Sequence, residues 1–189
     1  YSFSKLAVAV FGAYFKVQSM AFMPVFGLNN GMIPIISYNY GAQKPDRMKR
    51  TMKLGVMVGC SIMVFCLAIM QVFPGQILKI FDATDEMLLM GIPAVRIMST
   101  AFIFAGFSVT CSGMFQAVGK GVYSMIVSMA RQLFVILPVA YFLSKAMNSV
   151  NGVWAAFPIA EVFSVIISTI FLLRVYKKIV KPMESVQRD

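Results

Sequence analysis

Residues 27–42 read GLNNGMIPIISYNYGA, and residues 44–50 just behind them read KPDRMKR. An apolar stretch ends in a dense run of cations, as a membrane-spanning helix does where it meets a charged turn. Glycine, proline and asparagine inside such a span are expensive, because lipid offers no hydrogen bonds to the backbone groups they free. They are tolerated where protein or a water-filled cavity supplies those bonds.

The rest of the chain agrees with a bilayer setting. Of the 189 residues, 59% are hydrophobic and 13% charged, and the mean hydropathy is +0.80; soluble domains carry about 25% charged residues. Uncharged runs cover Val17–Gln43 (27 residues), Leu54–Leu78 (25) and Ile97–Gly119 (23), and about 20 apolar residues cross the hydrocarbon. The net charge of +10 sits at the ends of these runs, which fits membrane topology and not a phosphate-binding face, so no nucleic-acid partner is expected. Cys60, Cys66 and Cys111 lie inside apolar runs without metal-ligand spacing, and histidine is absent. They read as small buried hydrophobes, and no metal or cofactor is expected.

The expected fold is all-α and integral to the membrane, with five spans over residues 6–38, 54–73, 87–116, 122–143 and 152–173. Residues 1–178 form the helical lobe and 179–189 a cytoplasmic tail. The first span exceeds one straight crossing, so bends are expected at Pro24 and Pro34. Residues 39–53 read as a basic loop, Gly119–Gly121 as a tight turn and Ser144–Asn151 as a polar connection. The pair Gly55-x-x-x-Gly59 offers another helix a close approach. Five spans put residues 39–53, the turn at 117–121 and the tail on one side with eleven Lys and Arg. The other side has three: Lys5, Lys79 and Lys145. The richer side is therefore expected to be cytoplasmic, with the protein in the inner (plasma) membrane. The first residue is Tyr, Lys5 and Lys16 flank the first apolar stretch so that it does not read as a signal peptide, and an outside amino terminus on an odd number of spans leads us to expect further helices upstream.

Glu161 is the one acid deep inside a span, nine residues from Gly152 and twelve from Leu173. A bare carboxylate there costs several kcal/mol, so it is protonated, paired or wet. It reads either as a proton or cation site or as a neutral carboxyl joining helices. Pro158, one turn earlier, frees a carbonyl at similar depth. Arg131 reads as a snorkelling anchor or as a counter-charge in a cavity. Lys16 reads as an outer-mouth residue, or as facing a cavity with Gln18. Asn30 and Asn39 read as amides that satisfy broken backbone or as substrate contacts. The 16 Met and 17 Phe are packing and lipid-facing residues, a minority of which suit a tolerant site for organic cations. An enzyme is not expected: no histidine, no acid pair within one span, no nucleophile with its base and no phosphate loop occur.

The pattern Gly27-x-x-Asn30-Gly31-x-x-Pro34-x-x-Ser37-x-Asn39-x-Gly41-Ala42 resembles the second helix of the carboxyl-terminal half of the multidrug and toxic compound extrusion (MATE) transporters. Gln116-Ala117-x-Gly119-Lys120, Arg131-Gln132 with Pro138, and Gly152-Val153-Trp154 with Glu161 follow in the same order. The resemblance covers almost the whole chain. It implies helices eight to twelve of a twelve-helix, two-lobe antiporter that exports small organic cations against H⁺ or Na⁺. The partners implied are the bilayer, the amino-terminal lobe and a seventh helix. Ion-coupling or substrate candidates are then Glu161, Lys16, Gln18, Asn30 and Asn39. Gly27, Gly31, Pro34, Gly41, Arg131, Pro138 and Pro158 take structural roles. The resemblance implies coupling acids on helices of the amino lobe, on the seventh helix or on the tenth, whereas the span matching the tenth has no Asp or Glu beyond Glu86 at its margin. Two rivals are a lipid-linked saccharide flippase of similar architecture and a non-transporting membrane scaffold or remnant.

Overall fold

The computed structural model describes residues 2–147 and 151–186. The elements are α1 (Ser2–Gly41), α2 (Pro45–Val72), α3 (Pro74–Lys79), α4 (Asp85–Ser99), α5 (Phe102–Ala117), α6 (Gly121–Met129), α7 (Leu137–Met147), α8 (Asn151–Val175) and α9 (Lys181–Val186). A π-helical segment, Ala130–Ile136, joins α6 to α7, and another, Tyr176–Val180, joins α8 to α9. All the described regular structure is helical, as lipid requires of segments that satisfy their own backbone.

Four continuous helices are long and apolar enough to cross a membrane: Lys5–Gly41, Pro45–Val72, Gly121–Met147 and Asn151–Ser185. Helices α4 and α5 pass the same test only as a pair, bent by 48° at their junction. The chain forms an all-α membrane lobe.

Several boundaries depart from the sequence reading. Helix α1 runs unbroken through Pro24 and Pro34; the break in the lobe falls at Thr100–Ala101, where there is no proline. Side chains replace the lost backbone bonds there. Gln71 Nε2 donates to the Arg96 carbonyl at 2.8 Å and to Ser99 Oγ at 3.0 Å, and Thr100 Oγ1 donates to the Ile97 carbonyl at 2.7 Å. Most of the expected loop 39–53 is helix, and only Ala42–Lys44 connects α1 to α2. Pro45 begins α2, where its missing N–H has no partner to lose. The expected connection 144–151 narrows because α7 continues to Met147, and residues 148–150 lie outside the described residues, as do 187–189 of the tail.

The π segments precede proline in both cases, Pro138 and Pro182. A proline ring clashes with the carbonyl four residues back, and a wider turn relieves that clash. The α5–α6 turn closes as sequence demands: Lys120 N donates to the Phe115 carbonyl at 2.7 Å while Gly119 takes φ 72°, a left-handed conformation that favours glycine.

Two apolar clusters hold the lobe. One gathers Val10, Tyr14, Phe22, Met63, Met98, Phe102 and Trp154 at one end, and the other gathers Ile36, Met48, Met114, Phe115, Phe171 and Val175 at the end of the basic segment. Between them α2 and α5 meet backbone to backbone. A Cβ on Gly106 would lie 3.0 Å from Cys60 Cα and 3.0 Å from the Gly59 carbonyl oxygen.

Outside the hydrocarbon, Lys49 bridges Asp46 at 3.0 Å and Glu184 at 2.5 Å, tying α9 to α2. Hydrogen bonds from Lys49 to Glu184 and then to Asp46 hold its ammonium above the ordinary 10.5. The folded value is the raised one, so this contribution is complete below 10.5 and is lost as pH rises beyond it. Lys49→Ala is expected to expose α9, read as faster cleavage after Glu184 by a Glu-specific protease. High salt should narrow the difference between variant and parent, since exposed pairs are screened.

Candidate functional site

Helix α8 places Glu161 on its buried face, 6% exposed, in line with Ser164 and Ser168 at helical spacing. The π segment carries Arg131 opposite it. Arg131 Nη1 donates to Glu161 Oε1 at 2.6 Å, with the side chains 28% and 8% exposed respectively. The widened turn matters here because it shifts the register of residues on that face relative to a plain α-helix. Arg131 Nε and Glu161 Oε2 have no protein partner among the described residues.

Two cavities share Arg131, and Glu161 lines the first of them. The first, of about 360 Å³, is lined by Phe15, Phe22, Phe26, Phe157 and Met23 with Gln18, Gln132, Arg131 and Glu161. Phe15 and Phe157 stand edge to face at 6.4 Å between ring centroids. Aromatic faces and a carboxylate together suit a flat organic cation. The second cavity, also about 360 Å³, shares Phe22, Phe26 and Arg131; Asn29, Asn30, Ser108, Ser112, Gln116, Ser124, Ser128 and Ser164 line the rest of it together with Ile33, Val109, Gly113 and Val127. Among the described residues, Arg131 is the one charged side chain that lines it.

The sequence candidates part company here. Gln18 and Glu161 line the aromatic cavity, Asn30 the second one, and Arg131 lines both. Lys16 lines neither: it is exposed, with Nζ 5.8 Å from the Phe81 ring centroid. Two residues along a helix is about 200° around it, so Lys16 and Gln18 cannot share a cavity. Asn39 lines neither as well; its Nδ2 donates to the Ile35 carbonyl one turn back at 2.8 Å. Arg131 lies in the wall of both cavities and is paired with Glu161. Gly27, Gly31 and Gly41 would each accept a Cβ with nothing within 4 Å, so packing within the described lobe does not require them. Pro34 is exposed on the same helix, Pro138 follows the π segment at the lobe's surface, and Pro158 is half-buried inside a continuous α8.

Sequence reading missed Asn29, which is 8% exposed and donates Nδ2 to the Val109 carbonyl at 2.9 Å, crossing from α1 to α5. It also missed the serines. Their signal was present: Ser108, Ser112 and Gln116 recur every four residues on α5, and Ser124 and Ser128 do so on α6. Among the described residues, no three of His, Cys, Asp and Glu come together as metal ligands.

Known proteins share this architecture. The MatE family model matches residues 1–142. The multidrug export protein MepA of Staphylococcus haemolyticus is 25% identical over 154 residues, which is 82% of this chain and 34% of that protein. The chain thus spans about a third of the length of the curated relatives it matches. The solved structure of the MATE multidrug transporter DinF-BH, with a ligand bound, aligns with a TM-score of 0.80 and 32% identity, over 90% of this chain and 38% of that one. An outward-facing multidrug resistance MATE transporter of the MOP superfamily aligns with a TM-score of 0.85 at 19% identity, over 96% and 40%. On the family match over most of its length, and on a fold shared with solved transporters, this chain belongs to the MatE family.

Proposed function

We propose that this chain is the carboxyl-terminal lobe of a multidrug transporter that exports small organic cations across the inner membrane by antiport against H⁺ or Na⁺. The observation that carries the reading is a mid-span acid, Glu161, paired with Arg131 on the wall of an aromatic cavity. A bound organic cation stacks on Phe15, Phe22, Phe26 or Phe157 and competes with Arg131 for the carboxylate. A coupling ion that neutralises the carboxylate removes that attraction and releases the cation. Competition for one charge is the simplest route to exchange of two positive species.

The open stripe of α1 that carries Gly27, Gly31 and Pro34 supports a second lobe facing this one, since small residues permit close helix approach. Eleven Lys and Arg on the side of residues 39–53, 117–121 and the tail support placing those segments in the cytoplasm. A saccharide-lipid flippase would want a basic cavity; here the two cavities share one arginine, and Glu161 neutralises it.

Transport of ethidium, a flat fluorescent cation, into inverted membrane vesicles tests the reading. An imposed proton or Na⁺ gradient should drive uptake in the parent, and Glu161→Gln should lower the driven rate about tenfold or more, as loss of a proton-exchanging group does. An undiminished rate in Glu161→Gln removes Glu161 from the coupling role.

A further inference from the structure

A third cavity opens elsewhere on the lobe. Helix α5 packs against α1 and α2 on one flank and against α6 and α8 on the other. The third cavity, of about 280 Å³, lies between α2 and α8. Lys49 and Met52 of α2 line it, with Leu172, Leu173, Tyr176 and Val180 of α8 and the π segment that follows. From Leu172 to Val180 it follows the helix axis for about 12 Å at 1.5 Å per residue. Its wall is apolar apart from the Lys49 ammonium and the Tyr176 hydroxyl. At the aqueous end α9 crosses to α2, where Glu184 bonds Lys49. Leu173 and Tyr176 are exposed, so the groove is open sideways, toward lipid. The charge around that opening is lopsided. Residues 44–53 carry five Lys and Arg and one acid, Asp46; residues 174–184 carry four and one acid, Glu184. The same lysine, Lys49, bonds both acids. An ammonium has three donors, so one of its N–H groups remains. Lys53, one turn along α2 from Lys49, and Lys177, one turn beyond Leu173, are exposed and make no ion pair among the described residues.

We propose that this groove binds one anionic phospholipid of the adjoining leaflet. An acyl chain lies along Met52, Leu172 and Leu173, and the phosphate meets Lys49, Lys53 and Lys177. A groove that opens into the bilayer is filled by what the bilayer supplies, and an apolar wall matches a hydrocarbon chain. The headgroup's charge follows from the rim. Nine cations against two acids in the two flanking segments draw an anionic headgroup, as basic clusters beside membrane helices do. A zwitterionic headgroup brings a cation of its own to that rim and is disfavoured there. Tyr176 is of the residue type that sits at headgroup level, with an apolar ring and a polar tip. The groove shares no residue with either cavity at Arg131. The lipid and the transported cation therefore do not compete for space, and the proposal does not depend on the role of Glu161. Bound this way, the phospholipid links α2 to α8 beside the Lys49–Glu184 bond.

Native mass spectrometry tests this on the detergent-purified full-length protein, given equimolar dioleoyl phosphatidylglycerol and dioleoyl phosphatidylcholine. The parent should retain one phosphatidylglycerol, about tenfold or more in preference to phosphatidylcholine. Lys53→Ala with Lys177→Ala should bring the two lipids to near parity, and the phosphatidylcholine still retained reports an intact groove. Leu173→Trp, at an exposed position, puts an indole where the chain lies and should lower retention of both lipids about tenfold. Arg47→Ala with Arg50→Ala removes the same charge from α2 outside the groove lining and should leave the preference unchanged. A loss in that control equal to the loss in the lysine pair means diffuse attraction to the whole basic end and overturns the site. Undiminished retention in Leu173→Trp, or an undiminished preference without Lys53 and Lys177, overturns it as well. So does a parent that retains no phosphatidylglycerol, the result expected if another helix fills the groove. The readout involves no transport, so its outcome and that of the Glu161→Gln experiment are independent.

Discussion

Gly106→Val is expected to prevent the lobe from assembling. The added Cβ would sit 3.0 Å from Cys60 Cα, 3.0 Å from the Gly59 carbonyl oxygen and 3.2 Å from Met63 Cβ. Two of these three neighbours are backbone atoms in the middle of α2, which cannot rotate away as a side-chain tip can. Relief requires α2 to move off α5, and that separation unpacks Thr110 and Met32 from Gly59 and Gly55 as well, since both glycines are in close contact with them. Overpacking of a close core typically costs about 1–3 kcal/mol and sometimes more; a backbone-to-backbone contact with no flexible neighbour belongs at or beyond the upper end. The control is Gly31→Ala on α1, whose Cβ meets nothing within 4 Å and which should leave lobe stability unchanged. Thermal unfolding of the detergent-solubilised protein, followed by the monodisperse fraction on size exclusion, distinguishes them. A Tm for Gly106→Val within about 2 °C of the parent would show that the α2–α5 approach is looser than the geometry indicates.

The contrast between these two glycines also shows what could be read from the chain without coordinates. Hydropathy and charge located the helices, because in lipid a long uncharged run has one satisfactory conformation. They missed a break. Proline marks a missing donor, yet α1 stays one continuous helix through Pro24 and Pro34, while α4 and α5 part at Thr100–Ala101, where Gln71, from another helix, feeds the carbonyl of Arg96. A break that depends on a donor 25 residues away leaves no local signature. Glu161 was legible because a lone acid in an apolar run must be accounted for. Its partner was legible only as a second anomaly, since nothing in the sequence says that residues 131 and 161 face each other. Lys16 stood open between an outer mouth and a cavity shared with Gln18, and only coordinates put it outside both cavities. The serine repeats escaped notice because serine is ordinary in membrane helices, and only the neighbouring helix turns a four-residue repeat into a cavity wall.

Removal of the Arg131 charge alone should do more damage than removal of both charges. In Arg131→Met, Glu161 keeps its place on α8, 6% exposed, with no cation against it. An uncompensated buried charge left by breaking such a pair typically costs about 3–5 kcal/mol. Glu161→Gln leaves the opposite orphan, but Arg131 is 28% exposed and its long stem can turn toward the water of the second cavity, so its penalty is smaller. Arg131→Met with Glu161→Gln restores neutrality. Methionine fills the volume of the arginine stem, and the glutamine amide shares its cavity with the amide and hydroxyl groups of Gln18, Gln132 and Ser19. The double variant should therefore recover most of the stability that Arg131→Met loses, a coupling well above the roughly 0.5 kcal/mol expected of independent sites. It should nonetheless remain as inactive in gradient-driven ethidium transport as Glu161→Gln, because stability returns with charge balance whereas coupling needs the carboxylate itself. Additive losses in the double variant would mean that the two side chains do not depend on each other in the membrane. Recovered transport would mean that the exchange of positive charge takes place elsewhere.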